Sequence, residues 1–230
     1  MTSLTTKSPL ASFALIAGLG ILFMATSPFA EFLVYQKLVI PGNPEETVKN
    51  IKSHETLFIS GIFSYLINFI CDVIVAWALF FLLKPVNESL SLLTAWFQLV
   101  YAAISLVALL HLITVLRVLN MVNAEPTLAS SETTNQVMQS LHAFRDGWTF
   151  GFFFFAIHLM LLGYLVFKSV YIPRIIGVLL FIAGAGYLIN TLQPYLFPRV
   201  NIDYISITYF GELIFMFWLL IKGPRIKVPN

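Results

Sequence analysis

The stretch TLFISGIFSYLINFICDVIVAWALFFLLKP, residues 56–85, decides the fold. Tyrosine aside, its only ionisable groups between Leu57 and Leu83 are Cys71 and Asp72. An α-helix rises about 1.5 Å per residue, so about 20 apolar residues cross the hydrocarbon core of a bilayer. Residues 56–83 exceed that length, and Lys84-Pro85 stops them.

The same pattern recurs in both directions. Five more spans read as residues 10–33, 90–116, 148–167, 173–192 and 204–221. The chain is therefore expected to be all-α: a polytopic bundle of six transmembrane helices forming a single integral membrane domain over residues 1–230. Composition agrees. Only 10% of the 230 residues are charged and 59% are apolar, where a soluble domain carries roughly 25% charged residues. One water-soluble core has no room for so many long apolar runs. The net charge of +2 and the scatter of basic residues exclude a nucleic-acid surface. Membrane lipid is the expected partner, and a homo-oligomer is left open. The lone Cys71 excludes an internal disulfide and a cysteine-based zinc cluster. The apolar stretch from Leu10 outruns an ordinary signal peptide and is read as a retained helix.

The connections set the neighbours. Residues 84–89 and 168–172 are too short to join anything but antiparallel neighbours. The first longer connection holds Pro41-Gly42-Asn43-Pro44, a turn signal, and then Glu45 to His54, a short helix expected at the membrane interface. The second, Asn120 to Asp146, has a loop-like middle at 125–134 and an end, 135–144, that reads as a separate helix with Val137, Leu141 and Phe144 expected to face the membrane. With both termini in the cytoplasm of a cell-membrane protein, the inner segments carry seven basic residues against six outside.

Polar residues inside the spans are the handle on function, since a mid-membrane charge costs at least about 2.5 kcal/mol unless it is hidden or used. Glu31 lies near the outer end of the first span and either reaches water or receives a cation or proton. Gly61, Tyr65, Asn68 and Asp72 form a stripe at steps of four, three and four on the second. Asp72 reads equally well as one end of a buried interhelical hydrogen bond and as a proton, cation or metal site. Thr94, Gln98, Tyr101 and Ser105 share a face of the third span and can answer that stripe across the hairpin; His111 lies off that face. His158 near the middle of the fourth span reads as a satisfied buried histidine, or as a metal or haem ligand. Glu212 sits near the middle of the sixth, with Thr208 and Tyr209 one turn before it. Glycines 177, 184 and 186 point to close helix packing. Glu31, Asn68, Asp72, His111, His158 and Glu212 thus make up the candidate intramembrane polar set. HExxH, GxSxG and phosphate-loop signatures are all missing from the sequence; no catalytic residue, metal ligand or cofactor is assigned.

A family resemblance runs over nearly the whole chain. It is carried by Ile16-Ala17-Gly18, Ile40-Pro41-Gly42 with 46–51, Leu57-Phe58, Cys71-Asp72-Val73 and Leu82-Leu83-Lys84-Pro85-Val86. Its most specific part is Ile157-His158-Leu159 with Leu162-Gly163-Tyr164-Leu165, Lys168-Ser169, Ile172-Pro173-Arg174-Ile175 and Gly184-Ala185-Gly186-Tyr187-Leu188. The chain resembles the bacterial integral-membrane family catalogued as domain of unknown function 4386. The resemblance implies a multi-pass membrane fold with recurring polar positions at Glu31, Asp72, His158 and Glu212, and carries no activity. Three functions stay open: a noncatalytic membrane component, a carrier of ions, protons or small molecules, and a membrane-embedded metal-dependent enzyme using Asp72, His158 and Glu212 with His142 or Glu55.

Overall fold

A computed structural model describes residues 9–24, 29–125, 127, 130–196, 198–200 and 203–226. Among them the regular structure is helical, with no strand. In chain order come α1 (Pro9–Met24), a π-helical segment (Phe29–Tyr35), α2 (Gln36–Leu38), α3 (Pro44–Ser53), α4 (Glu55–Leu83), α5 (Glu88–Ala124), α6 (Ser131–Lys168) and α7 (Arg174–Leu196). A 3-10 segment (Asp203–Tyr209), α8 (Phe210–Ile221) and a 3-10 turn (Gly223–Arg225) close the chain. Pro28, which late in the first expected span would kink or end its straight part, falls outside the described residues.

Four helices, α4 to α7, are long and apolar enough to cross a membrane; α1 and the stretch 207–221 are apolar but shorter. Their faces are sorted the opposite way from a soluble helix. On α4 the exposed apolar residues are Phe63, Ile67, Ile70, Val73, Ile74 and Trp77, along one face, whereas Tyr65, Asn68, Asp72, Val75, Leu79 and Leu82 are buried. On α5, Trp96, Leu99, Val107 and Leu110 face out while Thr94, Gln98, Tyr101 and Ser105 face in. An apolar outside around a partly polar inside suits a lipid surrounding.

Two expectations about the second long connection are corrected. Residues 135–144 belong to α6, a continuous helix of 38 residues, about 57 Å long at 1.5 Å each. The span starting at 148 is its second half. No proline interrupts 131–168, and the charged pair Arg145-Asp146 lowers hydropathy without breaking the helix. Val137, Leu141 and Phe144 do not face lipid: all three are buried in a protein core. Likewise α5 runs on to Ala124.

The turn before α3 forms as its residues dictate. Gly42 has φ +74°, a left-handed value that glycine adopts without penalty. Asn43 caps α3 by accepting from the Glu46 N–H at 3.1 Å, and Pro44 takes the first helical position. The buried Thr47 hydroxyl pins the incoming strand of chain through the Ile40 N–H at 2.9 Å.

The chain divides into two compact units. One comprises residues 24–70 and 103–149, the other 1–23, 71–102 and 150–230; α4, α5 and α6 contribute residues to both. The core of the first unit is aromatic: Tyr65 packs on Phe144 and Trp148 with ring centroids 5.1 Å apart in each pair, and Val34, Leu38, Ile51, Leu112, Val115 and Leu141 surround them. The second is joined by small residues. Gly163 faces Gly177, so close that a Cβ on Gly163 would lie 2.7 Å from the Gly177 carbonyl oxygen; Gly184 faces Ala156 and Met160 on α6. Phe13 of α1 stacks on Phe81 and meets Trp77 edge-on, and Gly18 lies against Leu219 and Leu220 of α8.

Candidate functional site

The candidate polar residues fall into two clusters, one per unit. Glu31, Asn68 and His111 belong to the first; Asp72, His158 and Glu212 belong to the second.

Glu31 stands on the π-helical segment. Tyr65 of α4 donates its hydroxyl to one carboxylate oxygen at 2.9 Å. Arg145 of α6 bonds the other at 3.2 Å, with side-chain exposures of 51% for the arginine and 15% for the glutamate. That pair is the answer to Glu31's charge: the carboxylate is nearly out of solvent and a guanidinium neutralises it. The same guanidinium lies over the Tyr35 ring, 5.2 Å from its centroid. Tyr35 in turn donates to the Leu141 carbonyl at 3.1 Å. Asn68 is buried and His111 half-buried in this unit.

In the second unit the stripe of α4 meets the polar face of α5, as the hairpin requires. Asp72 is fully buried, and the Gln98 amide Nε2 donates to its Oδ1 at 3.2 Å. One turn earlier on α5, the Thr94 carbonyl accepts from His158 Nδ1 at 2.9 Å. A carbonyl can only accept, so Nδ1 carries the proton and Nε2 is the acceptor of the neutral ring. Phe155 stacks against His158, and Tyr101 and Tyr187 flank Phe155. The Tyr187 hydroxyl on α7 donates to the Glu212 carboxylate on α8, and the Tyr187 ring stacks on Tyr209 with centroids 4.0 Å apart. Asp72 and Glu212 lie near enough for their charges to interact.

So Asp72, His158 and Glu212 fall in one unit, where Asp72 and His158 both bond to α5 and Glu212 bonds to α7. The partners were only partly visible beforehand. For Asp72 a tyrosine or serine of the third span was expected; the partner is Gln98, from the face expected to answer the stripe. Arg145 as the partner of Glu31, and Tyr187 as the partner of Glu212, were missed. Arg145 entered only as one of the six basic residues counted outside the membrane. The available signal was its place one residue after Phe144 and three before Trp148, on a helix turn that buries aromatic rings. Among the described residues no three His, Cys, Asp or Glu side chains gather to hold a metal ion.

Long apolar helices, an apolar outer face and a polar interior are the marks of a helical membrane protein. The profile of the family described as domain of unknown function DUF4386 matches residues 16–223. The chain belongs to that family. It is 39% identical over 169 residues to an uncharacterised protein of Archaeoglobus fulgidus, covering 74% of this chain and 85% of that one. No solved structure matches.

Proposed function

We propose that the chain is a noncatalytic multi-pass component of the cell membrane, with six spans, both termini cytoplasmic, lipid as its main partner and self-association open. One observation carries this reading. Each of the four principal polar residues bonds to a neighbouring element: Glu31 to Tyr65 and Arg145, Asp72 to Gln98, His158 to the Thr94 carbonyl, Glu212 to Tyr187. Groups spent on helix–helix bonds serve assembly first. The four long helices supply four spans by length and composition; α1 with the π-helical segment, and the 3-10 segment with α8, supply the other two.

Reconstituted vesicles under an imposed proton gradient, read with an internal pH dye, test the absence of transport. Leakage no faster than in protein-free vesicles is expected. Leakage that Asp72→Asn abolishes would overturn the reading in favour of a carrier. For the span count, single cysteines placed in a Cys71→Ser background at 37–54, 84–89, 120–130, 168–172 and 193–200 should be labelled alternately from outside and inside. Labelling of 84–89 and 120–130 from the same side would sink it.

A further inference from the structure

A groove runs along the outer side of the α6–α7 hairpin. Gly163 and Gly177 bring the two backbones together at its floor, and larger side chains stand up as walls. Near the turn those walls are Tyr164 and Phe167 of α6 and Val178 and Phe181 of α7, around about 180 Å³. Tyr164 and Phe181 also line the next part, which widens to about 530 Å³ and continues to Phe153 on α6 and Leu192 on α7. The rise from Phe153 to Phe167 is about 21 Å at 1.5 Å per residue, more than half of a hydrocarbon core about 30 Å thick. The four wall residues near the turn are exposed, so the groove opens outward. One end of it is charged. Lys168 Nζ lies over the Tyr164 ring, 5.7 Å from its centroid, and the Arg174 guanidinium over the Phe167 ring at 5.8 Å. Both rings are walls of the groove, so both cations stand at its mouth. No Asp or Glu occurs between Asp146 and Asp203, and among the described residues neither cation pairs with a carboxylate. At the α4–α5 hairpin, by contrast, Lys84 pairs with Glu88 at 2.9 Å.

We propose that the α6–α7 groove binds one anionic phospholipid of the bilayer, with an acyl chain along the groove and the phosphate of the headgroup held by Lys168 and Arg174. The occupant follows from the two ends together. An apolar groove longer than one leaflet suits a hydrocarbon chain, and two cations without carboxylate partners suit an anion at its mouth. Lys168 ends α6 and Arg174 begins α7, which sets both at the level of the headgroups. The guanidinium offers a phosphate a fork of N–H donors, and the ammonium offers a point charge. The apolar face of a second copy would cover the groove but leave both cations unanswered. A free anion would answer the cations but leave the groove uncovered. This inference rests on the proposed function and deepens it by naming the lipid and its seat. In that topology residues 168–172 face the cytoplasm, the side on which anionic lipids give the membrane its negative surface.

Native mass spectrometry of the full chain tests it. The protein is reconstituted in vesicles of equal parts phosphatidylglycerol and phosphatidylcholine and released in mild detergent. One phosphatidylglycerol per chain should stay bound, preferred over phosphatidylcholine roughly thirtyfold, since each cation at the membrane surface contributes a factor of about five. Lys168→Gln and Arg174→Gln should each lower that preference about fivefold and together abolish it; both residues are exposed, so neither change threatens the fold. Val178→Phe narrows the groove and removes no charge, and should lose the bound lipid. Equal retention of the two lipids by the unmodified protein overturns the proposal, and so does a preference that survives the double variant. Lipid binding unaltered by Val178→Phe overturns the groove as the seat of the chain. A lipid-free dimer that Val178→Phe dissociates gives the groove to a second copy and overturns it too. Vesicle leakage and cysteine labelling, the tests of the assembly reading, do not depend on lipid class, so either conclusion can fail without the other.

Discussion

The two units solve the same problem by opposite means. Each hides a carboxylate among apolar helices. Around Glu31 the solution is charge: an arginine, a tyrosine hydroxyl and a wall of aromatic rings, with the guanidinium half in solvent. Around Asp72 it is neutral hydrogen bonding: an amide on the facing helix, and for Glu212 a phenol, in a unit whose helices are brought close by glycine. An arginine works where its long stem can carry the charge toward water. The second cluster has Asp72 fully buried, where a guanidinium would itself need desolvation. Side chains fill the first unit and backbone contact joins the second, so the two should fail differently under mutation.

The largest expected contrast concerns that packing. A Cβ on Gly177 would sit 2.6 Å from the Gly163 carbonyl oxygen and 2.8 Å from the Phe167 Cα, backbone atoms that cannot step aside. Gly177→Ala should cost about 3 kcal/mol of stability. At Gly61 the obstacle is the Val34 side chain, 2.8 Å away, so Gly61→Ala should cost about 1 kcal/mol. Unfolding of both variants in lipid measures the difference; equal losses would erase the distinction between backbone and side-chain packing.

Next comes the neutral pair. Asp72→Leu alone leaves Gln98 with a second orphan group and should cost about 2–3 kcal/mol, whereas adding Gln98→Leu should recover much of it. The ion pair should give less. Arg145 is half in solvent, so Arg145→Met should cost about 1–2 kcal/mol, and a double-mutant cycle with Glu31→Gln should return a coupling of about 1 kcal/mol. A coupling near zero would mean that Tyr65 and Gln36 hold the glutamate without the arginine. Tyr65→Phe keeps the rings in place and should lose about 1 kcal/mol for the missing hydroxyl.

The smallest effect lies at the hairpin between α6 and α7, outside the spans. The Tyr171 hydroxyl donates to the Leu82 carbonyl, and burial pushes its pKa up to about 12. A phenol raised above its unfolded value of about 10 stabilises the fold fully below pH ~10. That contribution fades as pH climbs from about 10 through about 12. Stability measured over that window should fall less steeply in Tyr171→Phe than in the unmodified chain. Identical slopes would show that the phenol is not held there.

Much of this was legible from residue order. The spacing of Tyr65, Asn68 and Asp72 on one helix and Thr94, Gln98 and Tyr101 on the next, with a six-residue connection, leaves the two polar faces little choice but to meet. Glycine spacing in α7 announced close packing. The run from 131 to 168 was misread because hydropathy falls at Arg145-Asp146, and hydropathy reports the solvent a residue prefers, not where a helix ends. Helix continuity depends on backbone hydrogen bonds, and nothing between Ser131 and Lys168 interrupts them.

The sequence by itself determined that the chain is helical, with apolar runs long enough to cross a membrane, where its hairpins turn, and which polar residues need partners. Those follow from local quantities: apolar length, helical period and the cost of an unsolvated charge. Only the tertiary structure decided who the distant partners are. Glu31 finds Arg145 across 114 residues, and His158 finds the Thr94 carbonyl across 64. Such pairings depend on which helices become neighbours. That is settled by the packing of whole faces, through contacts such as Gly163 on Gly177 and Tyr65 on Phe144, and not by any one residue's preference.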